Sequence, residues 1–198
     1  MGVVEADWFE PSRLFDEGYP EGITSALRVL HNVMAAVRSE LASLQPGRVL
    51  EIGPGDAPIA RDGDVVYLDV VPGFLAKLPG ARVRADLFQA PFAPGSFDVV
   101  IAADVLTHVR PAERKRAVRA IAALGKAVLL FNPEPGTAQV ADSRSPTHPL
   151  SEALEQDGWE IFQRKFVAVT AGGEYVMRLI KAIRPSAAPA FPRKGPGG

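Results

Sequence analysis

Three carboxylates and a glycine turn are spaced along the chain so that they could hold a nucleotide-like ligand. Glu51 stands two residues before the turn Gly53-Pro54-Gly55, in the stretch VLEIGPGD. Asp69 ends the apolar run DVVYLD, and Asp86 follows a weaker strand-like stretch, ARVRA. Glycines let a ligand approach the backbone closely, and carboxylates accept hydrogen bonds from hydroxyl and amino groups.

The glycine turn argues against a phosphate-bearing ligand. Gly53 and Gly55 match the first two positions of the dinucleotide fingerprint G-x-G-x-x-G/A, but Pro58 stands at the third. Glu51 at the strand tip and Asp56 within the turn would repel a pyrophosphate. A ligand with a positive charge and no phosphate fits this turn better.

Alternating apolar runs predict the elements that bring these residues together. The predicted strands are 48–52, 64–69, 81–85, 97–102, 126–131, 159–170 and 174–183, and the predicted helices are 24–44, 73–78, 111–124 and 151–156. The pattern indicates an α/β fold, a Rossmann-like, doubly wound and mainly parallel sheet, with a C-terminal antiparallel hairpin. In such sheets ligands lie beyond the carboxyl ends of the strands, where all three carboxylates fall.

The first crossover is unusually short. Only 18 positions separate Glu51 from Asp69, and Pro58 and Gly63 lie between them. A parallel crossover usually takes a dozen or more residues. We therefore expect the first crossover helix to be shortened to a single turn or a loop, with the helix at 24–44 helping to cover that face.

Composition narrows the class of protein. The 198 residues, 47% hydrophobic and 23% charged, suit one globular domain, and the net charge of −1 lacks the basic excess of nucleic-acid binders. The absence of cysteine excludes disulfides and thiolate metal sites, and three scattered histidines predict no metal centre. No apolar run reaches about 18 residues and no secretory signal is recognisable. We expect a cytoplasmic protein with a small-molecule substrate, without a membrane or nucleic-acid partner; its oligomeric state is open.

Four motifs, in this order along 24–183, resemble those of class I S-adenosylmethionine-dependent methyltransferases of the small-molecule, type 11-like kind. They are VLEIGPGD, YLDVV, ADLFQAPFAPGSFDVV and FDVVIAADVLTHV. The resemblance implies S-adenosylmethionine as the cofactor. Residues 1–23 would then form a lid or cap segment, 24–183 the cofactor-binding domain, and 184–198 a disordered tail. One departure is Ala57, where the family usually has a third glycine.

The resemblance also implies a role for each matched residue. Glu51 would receive the ammonium side of the cofactor, directly or through water, and Gly53 and Gly55 would let the backbone approach it. Asp69 would accept hydrogen bonds from the ribose hydroxyls. The remaining matches would surround the adenine and the methyl group: Asp86 at the adenine amino group, Leu87 with its amide at a ring nitrogen, Ala103 and Asp104 along the cofactor, and His108 near the methyl group.

His108 is the candidate general base, because an imidazole titrates near neutral pH. The alternative is that it only packs or hydrogen-bonds locally. His31 is expected to pack, and His148 lies in a loop that could cover the site.

Three other features are interpreted as structural. Asn132-Pro133-Glu134-Pro135 resembles a motif of enzymes that methylate amino nitrogens, but it follows the wrong strand and lacks the aromatic residue, so we treat it as a decoy. Asp98 is expected to cap or pair with a neighbour. The basic residues Arg114, Lys115, Arg116 and Arg119 are expected to form a solvated helix face.

The predicted function is methyl transfer to an oxygen, nitrogen or carbon nucleophile. Two alternatives stay open at this point: an NAD(P)-dependent oxidoreductase, and a non-catalytic binding protein of the same fold.

Overall fold

The computed structural model describes residues 24–55, 57–133, 148–170 and 173–185. The predicted lid at 1–23, Asp56, and residues 186–198 of the predicted tail lie outside the described part. Seven strands form one sheet in the order β3-β2-β1-β4-β5-β7-β6. They are β1 (Arg48–Ile52), β2 (Asp64–Asp69), β3 (Ala81–Arg84), β4 (Phe97–Ala103), β5 (Gly125–Pro133), β6 (Glu160–Thr170) and β7 (Gly173–Ile183).

The described residues also form four α-helices and three 3-10 turns. The helices are α1 (Thr24–Leu44), α2 (Pro72–Leu75), α3 (Arg114–Leu124) and α4 (His148–Gln156), and the 3-10 turns are Leu87–Gln89, Leu106–His108 and Pro111–Glu113. The predicted helix at 111–124 is therefore a 3-10 turn followed by an α-helix. All predicted strands and helices are present, with ends shifted by a few residues.

The strand pairing confirms the predicted fold class. β1 pairs in parallel with β2 and β4, β2 with β3, and β4 with β5. β7 pairs antiparallel with both β5 and β6, which is the predicted terminal hairpin. The chain order reverses between β1 and β4, so a crevice opens beyond the carboxyl ends of these two strands.

The sheet separates two hydrophobic clusters. On one face, Leu50, Val100 and Val128 pack with Ile121 of α3 and Leu154 of α4. On the other face, Val49, Val99 and Leu129 pack with Val33 and Val37 of α1. Because both faces are covered, the central strands are continuous apolar runs rather than alternating ones.

The shortened first crossover is confirmed, since no helix occurs in the described stretches 53–55 and 57–63 between β1 and β2. Side chains instead satisfy the backbone of Ile59 and Ala60. Their amides donate to Oε1 and Oε2 of Glu51 at 2.8 and 2.9 Å. The Ile59 carbonyl accepts from Arg38 Nε of α1 at 3.2 Å, and the Ala60 carbonyl accepts from the Tyr67 hydroxyl at 2.6 Å. These four bonds replace those that a helix would have made.

Candidate functional site

A cavity of about 550 Å³ lies at the carboxyl ends of the parallel strands. The turn after β1, the ends of β2 and β4 and the segment after β3 form its walls. Every residue that the sequence predicted to be catalytic or cofactor-binding lines it: Glu51, Gly53, Gly55, Asp69, Asp86, Leu87, Ala103, Asp104 and His108. The topology therefore brings together side chains that are up to 57 positions apart in the chain.

The glycine turn needs glycine at both positions. Gly53 and Gly55 have φ angles of +61° and +57°, the left-handed region that other residues rarely adopt. A Cβ at Gly53 would also lie 2.7 Å from Cγ2 of Val105. A Cβ at Gly55 would meet nothing within 4 Å, so this part of the turn faces open space beside the cavity.

Glu51 is a buried carboxylate that holds the first crossover. It is 2% exposed, and both of its oxygens accept backbone amides from Ile59 and Ala60. Burial raises the pKa of Glu51 to about 7, although the two amides and the charges of Arg38 and Arg61 oppose this rise. Its position at the cavity agrees with the sequence prediction, but the geometry adds a role in shaping the cavity wall.

Asp69 ends β2 with its carboxylate largely buried at the cavity wall. Its Oδ1 accepts from the Val71 amide at 2.8 Å. Burial raises the pKa of Asp69, while the amides of Val71, Gly55 and Val70 and the nearby charge of His108 partly offset the rise. The contact with Gly55 joins the ends of β1 and β2 at the cavity.

Asp86 is exposed and begins the 3-10 turn Leu87–Gln89. Its Oδ1 accepts from the Phe88 amide at 2.7 Å, which fixes the direction of the turn that carries Leu87 past the cavity. This capping bond uses only Oδ1 of the Asp86 carboxylate.

Asp104 has a strained backbone at the end of β4. Its φ is +57°, uncommon for a residue with a side chain, and such strain concentrates at functional sites. The Asp104 amide donates to the Phe131 carbonyl at 2.6 Å, and its Oδ1 accepts from the Thr107 hydroxyl at 2.9 Å. His108 ends the 3-10 turn that follows and is exposed at the cavity. Burial raises the pKa of Asp104, while the hydrogen bond from Thr107 and the nearby charge of His108 partly offset the rise.

The prediction of a solvated basic face is wrong for Arg114. This arginine is only 7% exposed, because its guanidinium turns back from α3 under the segment at 107–109. Arg116 and Arg119 are exposed as expected: Arg116 pairs with Glu113, and Arg119 pairs with Asp157. The helical periodicity grouped Arg114 with the exposed basic residues of α3. The sequence gives no sign that the carbonyls of Val109 and Thr107 lie within reach of its guanidinium.

The structural interpretation of Asp98 is confirmed. Its Oδ2 accepts from the amides of Gly47 and Arg48, and its Oδ1 pairs with Lys126 at 2.7 Å. The hydrogen bond from Lys126 is the main reason why the pKa of Asp98 is lowered.

Asn132, from the stretch interpreted as a decoy, is a buried polar residue. Asn132 is 1% exposed, and its side-chain nitrogen and oxygen lack a hydrogen-bond partner. It does not line the cavity, although its neighbour Phe131 does. The side chains of His31 and His148, together with Glu134 and Pro135, lie outside the described part of the chain.

Sequence reasoning missed several lining residues. Met34 of α1, Phe74 of α2 and the pair Val70-Val71 supply apolar surface, and Arg110 supplies a cation near His108. Only Val70 and Val71 could have been predicted, because they directly follow Asp69 at the end of β2. Nothing in the sequence indicated that Met34 lines the cavity, because α1 is far from the other lining residues in the chain.

The charge of the cavity wall is predominantly negative. Five carboxylates line it, from Glu51, Asp69, Asp86, Asp104 and Glu113, while Arg110 is the only lysine or arginine among the described lining residues. Within the stretches that the structure describes, no helix is long and apolar enough to cross a membrane.

Residues 50–131 match the family described as a methyltransferase domain. The matched segment runs from β1 to β5 and contains every predicted site residue, so the resemblance to S-adenosylmethionine-dependent methyltransferases of class I is confirmed. A comparison with curated proteins finds no match.

Solved structures of methyltransferases share the fold. Magnesium protoporphyrin IX methyltransferase from Synechocystis PCC 6803, with S-adenosylmethionine bound, is 22% identical with a TM-score of 0.64, over 84% of this chain and 86% of that one. An S-adenosylmethionine-dependent methyltransferase from Archaeoglobus fulgidus is 13% identical with a TM-score of 0.64, over 77% and 93%. Phosphoethanolamine N-methyltransferase 2 from Haemonchus contortus, in complex with phosphomonomethylethanolamine and S-adenosylhomocysteine, is 16% identical with a TM-score of 0.55, over 70% and 49%.

Proposed function

We propose that this protein transfers a methyl group from S-adenosylmethionine to a small-molecule acceptor. The observation that carries the proposal is the cavity wall: a glycine turn and carboxylates at the ends of β1 and β2, with no helix starting at the turn. A cationic ligand gains from such a wall, whereas a pyrophosphate needs helix N-terminal amides or basic side chains.

The residues present fit this cofactor. The open space at Gly55 allows close approach of a ligand to the backbone. Asp69 has acceptor capacity for ribose hydroxyls beside its bond to the Val71 amide, and Asp86 has a second oxygen for an amino group. Glu51 lines the cavity, and its ionised form would supply negative charge for an ammonium group. A volume of about 550 Å³ is in the range of small-molecule sites.

When bound, the cofactor supplies a methyl group that is already activated on a sulfonium centre. The contribution of the chain is then mainly alignment, which in favourable systems is worth about 7–11 kcal/mol. For a hydroxyl acceptor, an imidazole nitrogen of His108 would take the proton from the acceptor oxygen. Asp104 and Asp69 would stabilise the imidazolium that forms, since both already interact electrostatically with His108.

A small-molecule acceptor is supported by the neighbours and by the cavity. The protein from Synechocystis is named for magnesium protoporphyrin IX, and the protein from Haemonchus contortus is named for phosphoethanolamine. The described surface around His108 is a pocket with one arginine, Arg110, rather than a broad basic face.

The oxidoreductase alternative is disfavoured by the first crossover. Dinucleotide sites use a helix N-terminus after the glycine turn. Here the backbone of Ile59 and Ala60 is instead bonded to the side chains of Glu51, Arg38 and Tyr67. A pyrophosphate would therefore meet Glu51 without the compensating helix.

Methyl-labelled S-adenosylmethionine tests the proposal directly. The protein is incubated with a cell extract separated into small-molecule, protein and RNA fractions, and Asp69→Ala serves as the matched inactive control. Label that reaches only the small-molecule fraction supports the proposal. Label in protein or RNA contradicts the acceptor class, and cofactor binding without any transfer favours the non-catalytic alternative.

A further inference from the structure

Arg114 lies beneath the segment that carries His108. It is the first residue of α3, and its side chain turns back toward the preceding loop. Its Nε donates to the Val109 carbonyl at 3.0 Å, and its Nη2 reaches the Thr107 carbonyl at 3.5 Å. These two carbonyls flank His108 directly in the chain. One guanidinium therefore holds the backbone on both sides of the candidate base.

The other arginines of α3 offer a contrast. Arg116 has a side chain that is 66% exposed, pairs with Glu113 and stacks over the ring of Phe88 at 4.3 Å. Arg119 forms an exposed pair with Asp157. Exposed pairs of this kind contribute little to stability. A buried guanidinium that donates to backbone carbonyls is more costly to remove, because the carbonyls then lose their partner.

The segment at 106–109 depends on such support. Leu106–His108 is a single 3-10 turn, and bonds in these turns have poorer geometry than in an α-helix. The amides of His108 and Val109 donate to the carbonyls of Val105 and Leu106, three residues earlier, at 3.1 and 3.3 Å. A planar guanidinium, with several donors in fixed directions, can bond two carbonyls at once and so fix the turn.

We propose that Arg114 is a positioning residue for methyl transfer, which fixes the 107–109 backbone and thereby directs the imidazole of His108 into the cavity. The role in transfer rests on the proposed function, but the contact between the guanidinium and the turn does not. Arg114 is not among the described residues that line the cavity, so it acts through the backbone of its neighbours.

Histidine NMR separates positioning from a merely structural role. The protein is labelled with ¹³C-histidine, and the imidazole signals of its three histidines are assigned with a His108→Gln variant. Arg114→Met removes the guanidinium and keeps the apolar stem, Arg114→Lys keeps one donor group, and Arg116→Met is the matched control on the same helix. Unfolding curves show which variants are folded at the temperature of the spectra.

The expected result is selective. In Arg114→Met the His108 signal shifts and broadens while those of His31 and His148 stay in place, and Arg114→Lys restores part of the change. Arg116→Met leaves all three signals unchanged. Binding of S-adenosylhomocysteine stays within about threefold of wild type, whereas transfer of labelled methyl falls by about tenfold or more, toward the loss expected when a general base is misplaced.

An unchanged His108 signal in folded Arg114→Met overturns the proposal. If that variant does not fold, Arg114→Lys decides by the same criterion, because loss of the bond to Thr107 must still disturb the turn. Failure of the wild type to bind S-adenosylhomocysteine would refute the proposed function, and the NMR comparison would still decide whether Arg114 fixes His108.

Discussion

Replacing Glu51 by glutamine should change how the stability of the protein depends on pH. The carboxylate is 2% exposed and receives one backbone amide on each oxygen. A glutamine has the same shape but only one acceptor oxygen, so its NH₂ group faces the second amide. The substitution also removes the one titrating group at this position.

The raised pKa of Glu51 sets the size and the sign of this change in the free energy of unfolding. Burial raises the pKa of Glu51 from 4.5 to about 7 in the folded protein. Between these values the folded state holds a proton that the unfolded state has released, so stability is greatest below pH 4.5 and is lost as pH rises through 7. The loss amounts to about 3 kcal/mol, at about 1.4 kcal/mol per pKa unit, or roughly 6–12 °C in melting temperature for a chain of this length.

Urea unfolding at about pH 5 and about pH 8, followed by tryptophan fluorescence, measures this difference. The stability of wild type relative to Glu51→Gln should fall by about 2–3 kcal/mol between the two pH values. Asp98→Asn is the control, because the pKa of Asp98 is lowered and its contribution is lost only in more acidic solution. Parallel pH profiles for wild type and Glu51→Gln would refute the reasoning, since Glu51 would then be ionised throughout, with its charge stabilised by the two amides.

Further outcomes follow from the same geometry. Gly53→Ala should lower the free energy of unfolding by about 1–3 kcal/mol in chemical unfolding, because the backbone there is left-handed and the new Cβ would clash with Val105. Adding Val105→Ala should restore the share of the stability that is lost to the clash. Tyr67→Phe leaves the buried Ala60 carbonyl without its donor and should cost about 1–3 kcal/mol; equal stability would mean that another group bonds this carbonyl. Binding of S-adenosylhomocysteine should release protons near neutral pH, because the ammonium group of the ligand lowers the raised pKa of Glu51. Calorimetry in two buffers of different ionisation enthalpy that shows no release contradicts this placement of the ammonium group.

The fold and the outline of the site were predictable because they depend on local patterns. Apolar runs identify buried parallel strands, and Asp69 is found simply as the polar residue that ends one of them. The short spacing between Glu51 and Asp69 even predicted the missing crossover helix, since a full helix does not fit in that length.

The contacts that complete the site were not predictable, because they join residues distant in the sequence. Arg38 and Tyr67 reach Ile59 and Ala60 from a helix and a strand that give no sign of it in their periodicity. Arg114 has the same helical spacing as exposed arginines, and only the path of the preceding loop makes it a buried residue. A sequence pattern reports which side of an element is apolar, but not which backbone group a long polar side chain will reach.

The central claim, that the cavity binds an adenosyl ligand through the end of β2, is tested by calorimetry with S-adenosylhomocysteine. Asp69 and Asp64 lie at opposite ends of the same strand, and only Asp69 lines the cavity. Asp69→Ala should weaken binding about 10- to 100-fold, the loss expected when hydrogen bonds to a charged group are removed, while Asp64→Ala should bind as wild type does. Equal binding by wild type and both variants, or no binding by the wild type, would contradict the account.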